Sequence, residues 1–428
     1  MKFIILPHQL YSIKYLKKYS SYTFYIWEHP HYFTDYNYNK KKLCLHRASM
    51  KCYYDLLVKK KYKVEYIEYT DKFNETDYTL FDPIDRIKLP NKYTQIESPN
   101  FILTKEIYNK YREKTSNFIF NNFYLWSKET IDLYPNMKSL DKYNRSKYTH
   151  DIENNKLPSN SSDKKYITEA IKYVEKHFAN NCGNTDNFNF PISHKNANKW
   201  LKHFLTKKLK TFGQYEDIVI KDNTYISHSV LSSSINIGLI NPNEIIEELH
   251  KIKSKIPSNS FEGYLRQLFW REYQRYCYIY VNFDKKNYFG NNKKLSQKWY
   301  NGTLGIEPID DMIKDGFDKA YIHHIGRLMF IGNFMNLSGI SPKEGYRWFM
   351  EFSIDSYDWV MHQNVLDMVF FVTGGQTMRR PYISSSNYIL QMSNYKKGDW
   401  SEKWDELYYN FIKEHKKELY KYRYFYKL

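Results

Sequence analysis

Hydrophobic and polar positions follow two regimes along the chain. Up to about residue 130, short apolar runs alternate with helical stretches. Phe3 to Leu6, Thr23 to Trp27, Lys42 to Leu45 and Val64 to Tyr69 predict strands, and Ser49 to Lys60 predicts a helix between the last two. Such alternation favours a parallel sheet with crossover helices. Residues 131–165 change character: NRSKYTHDIENNKLPSNSSDKK is rich in Asn and Ser and reads as a linker or surface loop. From Tyr166 the spacing is helical nearly throughout. Asn243 to Ile256, after Pro242, and Glu262 to Asn282 predict helices, and Pro342 opens another with Ser341 as its cap. The expectation is an α/β parallel-sheet domain over 1–130, a linker over 131–165 and an all-helical domain over 166–428. No GxGxxG or P-loop follows a strand, so the dinucleotide and triphosphate fingerprints are absent. No internal repeat is visible.

Composition narrows the partners. A chain of 428 residues suffices for two or three domains and a large core. A net charge of +18 and a pI near 9.2 favour a polyanion, nucleic acid before a membrane surface. Aromatic residues make up 19% of the chain, with 44 Tyr. Lys, Asn and Ile are abundant too, as an AT-rich genome would encode, so the tyrosine count alone carries no function. No apolar run approaches the ~18–20 residues that span a membrane. Met1 to Leu6 reads as a first strand rather than a secretory signal. Cys44, Cys52, Cys182 and Cys277 lack zinc-finger or CxxC spacing, so reduced thiols are expected. A monomer is expected, cytoplasmic or nucleoid-associated, or nuclear in a eukaryotic host.

The chemistry concentrates late in the chain. Tyr321 to Asn333, YIHHIGRLMFIGN, sets two histidines and an arginine in an apolar run with helical spacing. His323 and Arg327, four apart, share a face, whereas His324 heads a more apolar stripe. Such a histidine is either hydrogen-bonded structure or poised acid–base chemistry. Asp355 lies 28 residues beyond Arg327, and if both are buried a bidentate pair is the economical arrangement. That pair alone reads equally well as an ordinary helix–helix salt bridge. Thr224 to Gly238, TYISHSVLSSSINIG, offers hydroxyls and backbone amides suited to phosphate oxygens. Residues 251–300 hold 11 Lys/Arg against 3 Asp/Glu, interleaved with Trp and Tyr, which suits a phosphate backbone with stacked bases. Within it, Phe261 to Tyr273 places Gln267, Trp270, Arg271 and Tyr273 on one helix.

These segments, taken in order, resemble the cryptochrome/photolyase family, and within it the branch of bacterial (6-4) photolyases and photolyase-related proteins. In that branch HHI-RLM-GN, a D-YEW-PN segment and a PY-SS-NYI segment occur in this order. Here they correspond to Tyr321–Asn333, to the run from Asp355 through Tyr357, Trp359 and Asn364, and to Pro381–Tyr388. Leu45 to Leu57 and Phe212 to Ile220 match as well.

The resemblance implies a Rossmann-like domain packed on an all-helical FAD-binding domain. It implies a light-driven DNA photolyase that repairs UV pyrimidine lesions, (6-4) photoproducts before cyclobutane dimers. The alternative is a cryptochrome-like flavin photoreceptor without repair. It assigns FAD contacts to His228, Ser229, Leu231, Ser232, Asn236, Arg327, Asn333, Asp355 and Asn364. Catalysis would fall to His324 as proton donor, with His323 and Tyr382, and electron transfer to Trp348, Tyr357 and Trp359. The partner would be UV-damaged DNA, met by Arg271, Lys293, Lys294 and Arg380, with the damaged base flipped into a pocket. An antenna chromophore, 6,7-dimethyl-8-ribityllumazine, is implied near the first domain.

Departures from the branch are informative. Pro308, Lys396, Asp399 and Lys403 stand where four cysteines would hold a [4Fe–4S] cluster, so no cluster and no metal are expected. Met361 replaces a pocket glutamate, which bears on the substrate class. Phe349 stands where a Tyr is common, so electron supply is expected to run through Trp348, Tyr357 or Trp359.

Overall fold

In the computed structural model, residues 1–144, 146–147, 156–284 and 286–426 are described. Five parallel strands form one sheet: β1 (Lys2–Ile5), β2 (Thr23–Trp27), β3 (Lys63–Ile67), β4 (Tyr78–Phe81) and β5 (Tyr93–Ile96). Their order is β3-β2-β1-β4-β5. This matches the first five positions of the doubly wound Rossmann order, with the switch point between β1 and β4. Strand alternation sends Phe3, Ile5, Phe24, Ile26 and Phe81 into the main core. It sends Ile4, Leu6, Tyr25, Trp27, Tyr78 and Leu80 to the opposite face, where Phe73 stacks on Trp27 at 4.0 Å. β4 and β5 were not expected. β4 is a four-residue run, and β5 is an edge strand with only Ile96 partly covered.

Lys42–Leu45 is not a strand. It is the first turn of helix Lys40–Lys59, which Asn39 caps by accepting from the Lys41 amide at 2.9 Å. The two lysines are buried because each ammonium finds oxygens: Lys41 at Asn184, Lys42 at the Ser356 carbonyl. Of the expected linker, residues 145 and 148–155 lie outside the described residues. The rest includes short helical turns at Asp141–Tyr143 and Ser161–Asp163.

From Lys164 the chain is helical. The long helix Ser258–Tyr280 runs through the centre, and Pro342–Phe352 begins at Ser341, whose hydroxyl accepts from the Glu344 amide. Together the parallel sheet and the helical array give a two-part α/β plus all-α architecture. No helix among the described residues is long and apolar enough to cross a membrane.

The two parts are joined by buried polar contacts. Glu272, on the central helix, accepts from the Ile102 and Leu103 amides at 3.1 and 3.0 Å and from the Tyr108 hydroxyl at 2.9 Å. Glu272→Ala strips three donors of their acceptor and leaves Arg271 beside them without its neighbouring carboxylate. The expected cost is about 3–5 kcal/mol, read as a lower urea midpoint. An unchanged midpoint would contradict this role.

Candidate functional site

One cavity of about 280 Å³ opens among the helices. Its walls come from the segment before Ser232–Asn236, the central helix, residues 321–328 and residues 355–369. His228, Ser229, Ser232, Asn236, Arg271, His323, His324, Arg327, Asp355 and Asn364 all line it. Ile235, Leu328, Phe349, Met361, Val365 and Val369 supply its apolar wall.

The histidine segment is not a plain α-helix. His323 precedes the helix, and Gly326–Gly332 is π-helical, a wider turn that often marks functional sites. Neighbouring side chains here take different tasks. Arg327 Nη2 lies 2.9 Å from Asp355 Oδ1, and Arg327 Nε donates to the Ile322 carbonyl at 2.5 Å. Burial works against ionisation of Asp355. Arg327, Ser232 and Ser353 outweigh it and hold the carboxyl below its usual range. His323 instead stacks on His228, with ring centroids 4.1 Å apart and planes 17° off parallel. His228 Nε2 donates to the Glu216 carbonyl at 2.9 Å, which leaves its Nδ1 a bare acceptor.

His228 Nδ1, His323 Nδ1, Asn364 Oδ1 and the Ser233 and Ser234 hydroxyls are buried without a hydrogen-bond partner. Such orphans are costly unless a ligand or water satisfies them. Val230, between Ser229 and Leu231, has φ 55, a strained conformation for a β-branched residue and one that clusters at ligand sites.

His324 is exposed on the cavity surface, unlike its buried neighbours. Desolvation by the cavity wall, then the charges of Arg327 and Arg266, lower its imidazole below the usual histidine range. Burial pushes His228 down to about 4 and His323 well below the usual histidine range. Both rings are therefore neutral at pH 7 when folded and bind protons near pH 6.5 when unfolded. Stability is fully present above 6.5 and is lost as pH falls toward 4. His228 alone should cost about 2 kcal/mol at pH 5. The urea midpoint should fall between pH 7 and 5, and less steeply in His228→Asn. Equal slopes would contradict it.

Several expected site residues lie elsewhere. Leu231 and Asn333 are buried but do not line the cavity; Asn333 Nδ2 ties its helix to Ser384 Oγ at 2.9 Å. Arg271 is no surface DNA contact. Its guanidinium is buried in the cavity wall, bonded to Asn236 Oδ1 and the Asn100 carbonyl, and it lies 4.8 Å from the Trp359 ring. Arg266 and Arg275 are buried too, so among the described residues the basic 251–300 region divides into structural arginines and exposed lysines. Lys293 and Lys294 are exposed, away from the cavity lining.

Trp348, Tyr357 and Trp359 are all buried. Trp348 donates to the Trp299 carbonyl and Tyr357 bonds His46 Nε2 at 2.8 Å. Arg380 and Tyr382 sit on a loop outside the cavity lining, the guanidinium 5.6 Å from the ring. Glu216 was missed by sequence reasoning. It lines the cavity beside Arg266, at 3.0 Å, and burial pushes its carboxyl up to about 7. A lone Glu before Asp217 carries no signal in the sequence.

Comparisons place these features among known proteins. Residues 3–87 and 76–190 match the family described as deoxyribodipyrimidine photo-lyase-related protein. A (6-4) photolyase of Agrobacterium fabrum is 33% identical over 296 residues, which is 66% of this chain. The match spans 58% of that relative's length. The crystal structure of a class III photolyase from Agrobacterium tumefaciens superposes with a TM-score of 0.59 at 14% identity, covering 97% of this chain and 87% of that one. A Synechocystis cryptochrome gives 0.60 at 12% identity, covering 98% and 93%.

Proposed function

Because the chain belongs to the cryptochrome/photolyase family, we propose that it is a light-driven, FAD-dependent photolyase acting on UV-damaged DNA, with (6-4) photoproducts favoured. The observation that carries this reading is the cavity itself. A half-buried Arg327 paired with a buried Asp355, orphaned acceptors and an exposed histidine meet in one place.

The residues present fit FAD. Orphan acceptors on His228 and Asn364, with the unpartnered His323 Nδ1 beside them, suit ribityl hydroxyls and ring N–H groups, and the Ser229 hydroxyl on the cavity wall suits a phosphate oxygen. When bound, the flavin supplies light-driven one-electron chemistry that side chains lack. Arg327 and Asp355 fix opposite charges on the wall, and Phe349, Val365 and Val369 exclude water. His324 holds the proton for the damaged base at its ring nitrogen. It is neutral in the free protein, and an anionic substrate opposes Arg327 and Arg266 and raises its proton affinity. Trp348, Tyr357 and Trp359 remain the proposed electron route.

A [4Fe–4S] cluster does not fit Pro308, Lys396, Asp399 and Lys403, which offer no thiolate. No step is assigned to an antenna. At the C-terminal ends of β1 and β4, where the sheet topology would seat a ring, His8 bonds the Pro83 carbonyl and packs 4.6 Å from Tyr32.

Illuminated and dark incubations with defined (6-4) and cyclobutane-dimer oligonucleotides test the proposal. Light-only restoration, faster for the (6-4) lesion, is expected. Flavin-loaded protein that restores neither would favour the cryptochrome-like reading, which Met361 on the cavity wall supports.

A further inference from the structure

We propose that Lys416–Tyr426, with Arg379 and Arg380 beside it, is a docking surface for single-stranded nucleic acid. This surface lies outside the cavity lining and does not rest on the flavin reading.

Ten large apolar side chains are exposed among the described residues, and three of them fall within 420–425. Tyr420 is 60% exposed, Tyr424 85% and Phe425 58%. Scattered exposure of this kind is ordinary, but clustering is not.

The cluster is also held rigidly. Leu419, Tyr422 and Tyr426 alternate with the exposed rings and are buried. The Tyr426 hydroxyl donates to the Pro381 carbonyl at 2.5 Å, and the Tyr422 hydroxyl and Lys421 ammonium donate to the Gly374 carbonyl at 3.2 and 2.9 Å. Tyr288 anchors the preceding turn through the Glu418 carbonyl at 2.9 Å. The rings are thus presented by a fixed backbone, so little ordering cost remains to be met on binding.

Cations interleave with the rings. The Arg423 guanidinium lies 4.8 Å from both Tyr420 and Tyr424, and Arg380 lies 4.7 Å from Phe425. Lys416, Lys417, Lys421 and Arg379 are exposed around them, against Glu418 as the one acidic residue of the stretch. Cations track a phosphate backbone, and exposed rings stack on bases. Only unpaired bases present free faces, because duplex DNA hides them in its own stack. That selects a single strand over a duplex.

The test is fluorescence anisotropy of the full chain with a labelled oligo-dT and with a blunt duplex. The variant is Tyr420→Ser/Tyr424→Ser/Phe425→Ser. The parent should prefer the single strand. The variant should bind it about tenfold or more weakly, with duplex binding, thermal midpoint and flavin content unchanged. Arg423→Gln should flatten the salt dependence for the single strand. Equal binding by parent and triple variant would overturn the proposal. So would equal affinity of the parent for duplex, or tighter binding to anionic vesicles than to oligo-dT.

Discussion

Asp355→Ala is expected to give a folded but weakened protein that no longer retains FAD. Its carboxylate holds the Arg327 guanidinium at 2.9 Å and accepts from the Ser232 and Ser353 hydroxyls. Removing it leaves a half-buried cation and two hydroxyls without their acceptor, an expected cost of about 3–5 kcal/mol. Part of that falls on stability and part on cofactor affinity, which should drop by about 100-fold or more. Asp355→Asn keeps an acceptor but removes the charge, so it should lie between the two. Flavin absorbance per chain after equilibration with FAD reads the effect. Full retention by the alanine variant would mean that the pair is only structural.

His324→Ala should leave flavin content unchanged while (6-4) repair falls by about 10²–10⁴-fold. His324 is exposed in the cavity and makes no side-chain hydrogen bond among the described residues that the alanine variant would forfeit. An anionic substrate raises its proton affinity, so its protonated fraction in the bound complex grows as pH falls. Repair per bound lesion should therefore rise from pH 8 toward pH 6 in the parent, and the variant should show no such rise. His323→Ala should behave differently. That ring is stacked on His228 inside the wall, so its loss should disturb folding or flavin retention before chemistry. Repair by His324→Ala at the parental rate would remove the proton-donor assignment.

The legible parts of the molecule were those where one segment carries its own signal. β1, β2 and β3 are runs dominated by apolar and aromatic residues, and the Ser341–Pro342 cap is a local rule obeyed. The Arg327–Asp355 juxtaposition follows from two opposite charges in apolar surroundings, each needing the other. What escaped depends on distant segments. Lys42 looked like the edge of a strand because its partner, the Ser356 carbonyl, is more than three hundred residues away. Arg271 looked like a surface cation because Asn100 and Phe101, which bury it, belong to another part of the chain. Glu216, Arg266 and Asp141 carry no signal of their own in the sequence and form one network only once folded. The π-helical turn at Gly326–Gly332 leaves no mark in the residue spacing.

The measurement that bears most directly on this account is the flavin content of the unmutated protein, purified and then equilibrated with FAD, by absorption and by chromatography of the released chromophore. The account predicts one FAD per chain, held through gel filtration. A colourless protein that takes up no flavin would contradict it.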